Sequence, residues 1–376
     1  MKQWERFQGL IQAPKRAWDV LVRGRYDFIY DQIPMSVQGM SLAKRLNLFR
    51  AGANLVHRRL QPWSWPLHMQ AELTNFCNLK CPVCPTGAST LSRPAQSLDV
   101  ALFARLMEDV GPYLLTLSLW GWGEPLLHPR LAEILRIAGR YPVVTLLSTN
   151  GQNLMNRKVI DALVQHPPTQ LIVAIDGLTD ETNSQYRVGA KLSRALTGVR
   201  RLAQIKQEQH LDLPVLHMRY IVMKHNQHEL PHLQDFAREN GFELLTIRTL
   251  VLVGSTEQKH QELIPDREEF KAYDYAGGQR VRRNDFICQQ PFWFPGIYAD
   301  GTVVACDQDS NAQLPFGVLS EKISFADLWR SERATIVRRM IRDTPASFDF
   351  CRNCPFAYRT GEACSIQRFD LKQSEA

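Results

Sequence analysis

The cysteines of this 376-residue chain fall into two groups that are separated by more than two hundred residues. The first group holds three cysteines and the second holds five: Cys77, Cys81 and Cys84, then Cys288, Cys306, Cys351, Cys354 and Cys364. Intracellular glutathione and thioredoxin keep thiols reduced, so clustered cysteines indicate metal binding rather than disulfides. Scattered buried cysteines would not leave the middle of the chain empty. The distribution therefore predicts metal sites.

The first group has the spacing C-x-x-x-C-x-x-C. Soft thiolates that lie this close together select zinc or an iron–sulfur cluster. A structural zinc site needs a fourth ligand, and neither Cys nor His occurs within forty residues downstream of Cys84. Three cysteines favour an iron–sulfur cluster with one open iron. Pro82 and Pro85 exclude a regular helix, so the thiols are expected on a loop after the strand-like run 69–73, at the carboxyl end of a parallel barrel strand.

Later motifs follow these cysteines in a fixed order. A strand-like run leads into Gly121-Trp122-Gly123-Glu124-Pro125, a second ends in Ser148-Thr149-Asn150-Gly151, and a third leads into Asp176-Gly177, with Arg187 ten residues further on. With the cysteine spacing, this order resembles the radical S-adenosylmethionine (SAM) superfamily. The resemblance implies that one group of residues binds SAM: Gly123, Glu124, Pro125, Ser148, Asn150, Asp176 and Arg187. Trp122 stands where the family has its first glycine, so its indole is expected to point away from the cofactor.

The resemblance covers about residues 67–260, and it implies a partial barrel. Six strand-like runs alternate with helical stretches such as 100–110 and 130–138. The runs lie near Met69, Leu114, Val143, Leu171, Leu216 and Leu244. Alternation of this kind implies parallel strands with right-handed crossovers. The predicted fold class is α/β: a partial (β/α)6 TIM-like barrel over 67–265, with a small C-terminal iron–sulfur extension over 280–365, a helical N-terminal segment over 1–66 and a polar tail over 366–376.

The second cysteine group resembles the SPASM or Twitch extension, which carries auxiliary iron–sulfur clusters. Asp300-Gly301 predicts a hairpin turn before Cys306, and 323–340 is predicted as a helix. Thr360 stands where such extensions carry a further cysteine. Four ligands complete one cluster, so we expect it on four of the five cysteines: Cys288, Cys306, Cys351 and Cys354. Zinc on the same four thiolates is the alternative.

Cys364 is left over from this assignment. It is either the fourth cluster ligand, a catalytic hydrogen-atom donor, or a thiol without a role. A cysteine's reactivity rather than its packing decides its function, and reactivity is not readable from the sequence.

The N-terminal segment carries the chain's positive charge. Residues 1–66 hold 11 Lys and Arg against 4 Asp and Glu, whereas 67–376 balance at 34 against 34, so the body of the chain is not expected to bind nucleic acid. Apolar residues at helical spacing within 1–25 fit either a peripheral membrane contact or a helical cap on the barrel: Trp4, Phe7, Ile11, Trp18, Leu21 and Val22. Without a secretory core or a membrane-length apolar run, a cytoplasmic protein is expected.

The resemblance implies a radical SAM enzyme with two [4Fe–4S] clusters, one that binds SAM and one auxiliary. An electron from a reductant such as flavodoxin or ferredoxin cleaves SAM to a 5′-deoxyadenosyl radical, which abstracts a hydrogen atom from the substrate. One candidate substrate is a small molecule such as a sugar or aminocyclitol, which the enzyme oxidises or epimerises, and the other is a peptide that it matures. Residues 1–66 show no strand-turn-strand pattern of a leader-binding winged helix, which favours the small molecule. The alternative of another class is a non-catalytic iron–sulfur or zinc scaffold.

Overall fold

The computed structural model describes residues 15, 18–57, 59–252, 259–276, 279–283, 286–358 and 364–372. Its strands, in chain order, are β1 (Tyr26–Tyr30), β2 (Ile33–Val37), β3 (His68–Ala71), β4 (Thr116–Ser118), β5 (Val144–Thr149), β6 (Gln170–Ala174), β7 (Val215–Val222), β8 (Leu244–Thr249), β9 (Tyr275–Ala276), β10 (Gln279–Arg280), β11 (Gly296–Ile297), β12 (Thr302–Val304), β13 (Pro315–Val318) and β14 (Ser365–Asp370). Its α-helices are α1 (Leu42–His57), α2 (Val100–Val110), α3 (Leu131–Ala138), α4 (Arg157–Gln165), α5 (Asp180–Tyr186), α6 (Leu192–Glu208), α7 (Leu233–Glu239), α8 (Gln290–Trp293), α9 (Phe325–Trp329), α10 (Glu332–Asp343), α11 (Asp349–Arg352) and α12 (Pro355–Tyr358).

Ten of these strands form one sheet with the order β13-β12-β11-β3-β4-β5-β6-β7-β8-β14. Strands β3 to β8 are parallel neighbours in chain order, and helices connect them, as a right-handed βα progression requires. Within the described residues the sheet stays open, because β13 and β14 form its two ends. The six predicted strands and the partial barrel are confirmed.

The side chains of the barrel strands point alternately to the outer and the inner face of the sheet. Successive side chains of a strand point to opposite faces, so Leu171 and Val173 pack outwards while Ile172 points to the inner face. Helices cover the outer face. For example, α2 begins at Asp99, whose carboxylate accepts hydrogen bonds from two backbone amides of the first turn, and its Phe103 is fully buried. Burying a side chain of that size contributes about 1.5–3 kcal/mol.

The amino ends of the barrel strands are filled by a hairpin of β1 and β2. Its two-residue turn, Asp31-Gln32, has positive φ angles of 49° and 67°, and Tyr30 pairs with Ile33. The buried side of β2 packs against inner-face residues such as Leu146 and Ile172. The prediction that 1–66 lacks a strand-turn-strand pattern is therefore wrong. The hairpin escaped detection because its burial partner is the barrel interior, which is a tertiary feature, and Asp-Gln is a weak turn signal.

Helix α1 follows the hairpin and supplies the expected helical part of the N-terminal segment. Buried Lys44 anchors it, because its ammonium donates hydrogen bonds to the carbonyls of Leu114 (2.6 Å) and Pro142 (2.5 Å) at the entries to β4 and β5. Residues 1–14, which carry three of the six apolar residues of the predicted amphipathic pattern, lie outside the described residues.

The C-terminal extension continues the barrel sheet at both edges. Strand β11 pairs parallel to β3, and the predicted Asp300-Gly301 turn joins β11 to β12, with Gly301 at φ 83°. The predicted helix over 323–340 is instead two helices, because Ser331 caps a new one through a hydrogen bond from the Ala334 amide. The expected polar tail is also wrong in part: β14 pairs antiparallel to β8 at the far edge.

Candidate active site

The first cysteine loop leaves β3 and folds back tightly on itself. Cys81 is buried, and Cys77 and Cys84 are partly buried. A Cβ atom on Gly87 would lie 2.4 Å from the carbonyl oxygen of Cys81, so this position accepts only glycine. The Leu79 amide lies 3.4 Å from Cys77 Sγ and donates a hydrogen bond to it. The loop backbone therefore fixes where the thiols lie.

Arg187 lies beside the Cys81 thiol, and Asp176 orients it. The Arg187 Nε donates to Asp176 Oδ2 at 2.6 Å, and the other carboxylate oxygen of Asp176 accepts from the Ile221 amide at 2.8 Å. Burial raises the pKa of the Cys81 thiol, and the Arg187 guanidinium opposes that rise. Asp176 is fully buried. Among the predicted SAM-binding residues it therefore acts as a positioning residue for Arg187.

Glu124 is likewise a positioning residue. Its carboxylate accepts hydrogen bonds from the Thr149 hydroxyl (2.6 Å), the Asn150 amide (2.8 Å) and the Leu126 amide (3.0 Å). Burial raises its pKa, and these donors oppose the rise. Glu124 thus ties the motif loop to the carboxyl end of β5. The side chain of Asn150 then reaches Cys77, with 3.6 Å between its Nδ2 and the cysteine Sγ.

Three of the motif residues remain, namely Gly123, Pro125 and Ser148. Pro125 begins a short 3-10 helix, and Ser148 is a partly buried residue near the end of β5. A Cβ atom on Gly123 would lie 2.1 Å from the Thr74 carbonyl oxygen, so glycine is required there. The structure thereby collects the predicted SAM-binding residues around the first cysteine loop.

The indole of Trp122 points towards the C-terminal extension. Its Nε1 donates to the Asp307 carbonyl oxygen at 3.1 Å, and Asp307 directly follows Cys306. The backbone amide of Trp122 donates to Glu72 Oε2 at 3.1 Å. The tryptophan that replaces the family's glycine therefore connects the two cysteine regions.

A buried ion pair that the sequence analysis missed strengthens the same connection. Arg93 donates to both carboxylate oxygens of Glu72, at 2.6 and 2.8 Å, and its guanidinium stacks 3.8 Å from the Tyr298 ring centre. Glu72 also accepts from the Ala299 amide at 3.1 Å. The sequence does contain a signal for this pair, since Glu72 is a charged residue inside the apolar run 69–73. A buried carboxylate requires a partner of opposite charge.

Four of the five C-terminal cysteines lie together. Cys306 follows β12, Cys288 precedes α8, and Cys351 and Cys354 flank the end of α11. Burial raises the pKa of all four, to about 12 for Cys288 and Cys351. The charges of neighbouring cysteines add to the rise in three of them, and the Asp307 charge adds to it in Cys354. Thiols of this kind need a cation to become thiolates, so the donor set fits a metal group.

Four thiolates suit either an iron–sulfur cluster or zinc. In a four-iron cluster each thiolate binds its own iron, whereas zinc draws its ligands to one point. No three His, Cys, Asp or Glu side chains converge as a single-ion site within the residues that the structure describes. Cys364 instead hydrogen-bonds with Arg248.

A cavity of about 810 Å³ lies between the two cysteine regions, and we call it the central cavity. Tyr186, whose ring centre is 5.5 Å from the Arg187 guanidinium carbon, lines it on the side of the first cysteine loop. Asp307 and Pro355, each adjacent to a cysteine of the second group, line the other side. Arg219 and Arg248 of the barrel and Cys364 also face it.

Comparison with known families agrees with this geometry. Residues 71–237 match the Radical SAM superfamily, and residues 288–355 match SPASM, an iron–sulfur cluster-binding domain. The chain belongs to the SPASM-containing radical SAM enzymes. Its cofactors are SAM and two [4Fe–4S] clusters.

Individual relatives are distant. The chain is 25% identical to the PqqA peptide cyclase of Gluconobacter oxydans (strain 621H) over 329 residues, which cover 83% of this chain and 88% of that protein. Its fold is similar to that of BtrN in complex with AdoMet and 2-DOIA (TM-score 0.52, 18% identity, 81% of this chain and 99% of that one). It is also similar to Streptococcus suis SuiB bound to the precursor peptide SuiA (TM-score 0.56, 14% identity, 83% and 75%). These two structures show the fold.

None of the helices in the described part of the chain combines the length and the apolar composition that a membrane span requires.

Proposed function

We propose that this enzyme cleaves SAM reductively and abstracts a hydrogen atom from a small molecule held in the central cavity, which it oxidises or epimerises. The observation that carries the proposal is that this cavity lies between the two cysteine regions. Tyr186 at one wall belongs to the surroundings of Cys81, and Asp307 at the other is bonded to Cys306. A substrate there would contact both cysteine regions at once.

Each group of site residues has a separate proposed role. Cys77, Cys81 and Cys84 would hold the SAM-binding cluster, and the four cysteines of the second group would hold the auxiliary one. When bound, the first cluster and SAM supply reductive cleavage and hydrogen abstraction. Arg187, held by Asp176, offers its guanidinium to the SAM carboxylate, and Glu124 keeps the β5 end in place for the ribose.

The size of the cavity supports a small molecule. Sites for small ligands measure about 300–1,000 Å³, and the central cavity falls within that range. The hairpin tip at Asp31 lines it from the amino ends of the barrel strands. Its walls combine apolar side chains such as Phe294 with a few charged groups, as ligand sites do.

A peptide maturase is the second candidate. It is favoured by the PqqA peptide cyclase, which matches over 88% of its own length, and by the peptide-bound SuiB structure. The hairpin in 1–66 also removes one sequence argument against it, although its β2 side is buried in the barrel rather than exposed to a partner.

The proposal includes partners and a domain division. A flavodoxin- or ferredoxin-type reductant supplies the electron. The N-terminal segment 1–66 caps the barrel 67–265, and the extension 280–365 carries the auxiliary cluster.

Cys364 at the cavity wall is a candidate hydrogen-atom donor for epimerisation. A peripheral membrane contact through residues 1–25 remains a further proposal, and Trp18 and Val22 are exposed.

The test uses anaerobically reconstituted enzyme with SAM and a strong reductant. We expect slow formation of 5′-deoxyadenosine without substrate, and Cys81→Ala abolishes it because the SAM-binding cluster loses a ligand. Incubation with metabolite extracts and with peptide pools then shows which of the two accelerates the reaction. A rate no higher than that of boiled enzyme, from protein with verified clusters, would favour the non-catalytic scaffold.

A further inference from the structure

One buried and one partly buried arginine form one wall of the central cavity. Arg219 on β7 and Arg248 on β8 point inwards from neighbouring strands, where Arg219 pairs with Thr246 and Ile221 pairs with Arg248. The Arg219 side chain is 9% exposed and that of Arg248 is 23% exposed. Buried arginines require anionic or carbonyl partners, because the charge cannot be removed at physiological pH.

Among the described residues, one carboxylate pairs with these two guanidiniums. Asp31 Oδ2, at the hairpin tip, lies 3.8 Å from Arg219 Nη2 and 3.5 Å from Arg248 Nε. Both distances exceed those of a charge-assisted hydrogen bond, which is about 2.7–2.9 Å. The other carboxylate oxygen of Asp31, Oδ1, accepts a hydrogen bond from the Ser365 amide at 2.8 Å.

Two titratable neighbours of the arginines, Tyr30 and His217, are uncharged at neutral pH. Burial raises the pKa of Tyr30 to about 12, so this phenol is neutral. Burial also holds the pKa of His217 well below its usual range, so this imidazole is neutral as well. Cys364 hydrogen-bonds with Arg248. Within the described residues, the arginine pair and Asp31 therefore carry a net positive charge into the cavity.

Arg219 also has a buried donor that lacks an acceptor. Its Nε makes no hydrogen bond in the described part of the protein. Leaving such a donor buried costs free energy, so the site is incomplete as it stands. The planar guanidinium fork matches the two oxygens of a carboxylate or the oxygens of a phosphate, and Trp120 lies 6.0 Å away as an apolar wall.

We infer that the substrate presents an anionic oxygen group, a carboxylate or a phosphate, to Arg219 and Arg248. The inference rests on the proposed function and narrows its substrate class to acidic small molecules. Asp31 keeps the two guanidiniums together in the substrate-free enzyme. The substrate's anion supplies the second negative charge and the missing acceptor for Arg219 Nε.

The experiment measures binding of simple anions to the cluster-loaded enzyme by calorimetry. The probes are propionate, inorganic phosphate and neutral propionamide. Tighter binding of propionate identifies a carboxylate site, and tighter binding of phosphate identifies a phosphate site. If neither anion binds better than propionamide, the inference is wrong.

The variants test the charge arrangement. Arg248→Gln and Arg219→Gln should each weaken anion binding about tenfold or more, because a charge-assisted hydrogen bond is lost. Arg248→Lys should fall between Gln and wild type, since it keeps the charge without the fork. Asp31→Asn should tighten binding several-fold, because the competing carboxylate is removed. The matched control is Arg130→Gln, at an exposed arginine paired with Glu133, and it should bind like wild type.

A purely structural role of the Asp31–arginine contacts predicts another result. Asp31→Asn would then weaken anion binding together with the arginine variants, and that outcome would overturn the inference. Wild-type affinity in both arginine variants would overturn it too. Formation of 5′-deoxyadenosine by wild-type enzyme is measured in the same preparation, so failure of the proposed function is recognised separately from failure of anion binding.

Discussion

The first cysteine loop and the C-terminal cysteine group reach their positions by different routes. The first spans eight residues, 77–84, on one loop that follows β3, the first barrel strand. The second draws on three segments, around Cys288, Cys306 and 351–354, which a hairpin and several short helices bring together. The first group can be recognised in the sequence from the spacing of its cysteines, whereas the second group comes together only through the topology of the fold.

The two regions are nevertheless joined to the same strand. β3 leads into the first cysteine loop, and β11 of the extension pairs parallel to β3. Glu72 at the end of β3 binds Arg93 and the Ala299 amide, and Trp122 donates to Asp307. Because the two cysteine regions are built from different segments, we expect a cysteine variant in one region to lose only the cluster of that region. Because the same contacts join both regions, we expect the loss of such a contact to lower the melting temperature of the protein.

The largest effect should separate the two regions by activity. Cys306→Ala removes a ligand of the auxiliary cluster, so we expect about half the iron of wild type and loss of substrate turnover, while 5′-deoxyadenosine formation persists. Iron analysis and chromatography of the nucleoside measure the two quantities.

Cys364→Ala is the matched control for this prediction. It should keep the full iron content, because the four other cysteines already fill one cluster. If Cys364→Ala loses iron as Cys306→Ala does, then Cys364 is a ligand and the assignment of the four must change.

A smaller effect concerns the ion pair that joins the regions. Arg93→Gln leaves the buried Glu72 carboxylate without its cation, and breaking such a pair costs about 3–5 kcal/mol. We expect a lower melting temperature of the cluster-loaded enzyme, measured by circular dichroism. Arg130→Gln, at an exposed pair, should leave it unchanged. Equal melting temperatures for both variants would show that Glu72 and Arg93 do not hold the regions together.

The smallest effect concerns Trp122. Trp122→Phe keeps an aromatic ring but removes the hydrogen bond to the Asp307 carbonyl oxygen, a loss of about 1 kcal/mol. The melting temperature should fall by about 2 °C, with both clusters retained. A large loss of auxiliary iron would instead show that this bond holds Cys306 in place.

Prediction from sequence succeeded where structure is local. Helix Val100–Val110 and the Asp300-Gly301 turn carry their own periodicity and turn residues, and both are confirmed. The β1–β2 hairpin was missed because the barrel interior, not its own pattern, buries it. The Glu72–Arg93 pair was missed because its partners are 21 residues apart on different segments.

The predicted site residues divide in the same way. The cysteine spacing and the later motifs identify the residues around the first cluster, but Asp176 and Glu124 are positioning residues, which only their hydrogen-bond partners reveal. Cys364 reaches Arg248 because β14 pairs with β8, a pairing of strands that are distant in the chain. Asp31 reaches both arginines because the N-terminal hairpin enters the barrel. The assignment of the cluster ligands stays a prediction.

The iron and sulfide content of one variant tests the central claim most directly. Wild-type enzyme reconstituted under anaerobic conditions should hold about eight irons and about eight sulfides per chain. Replacing Cys77, Cys81 and Cys84 together by Ala should leave about four of each, in the auxiliary cluster alone. A triple variant that keeps all its iron, or that loses all of it while remaining folded, would contradict two independent cluster sites.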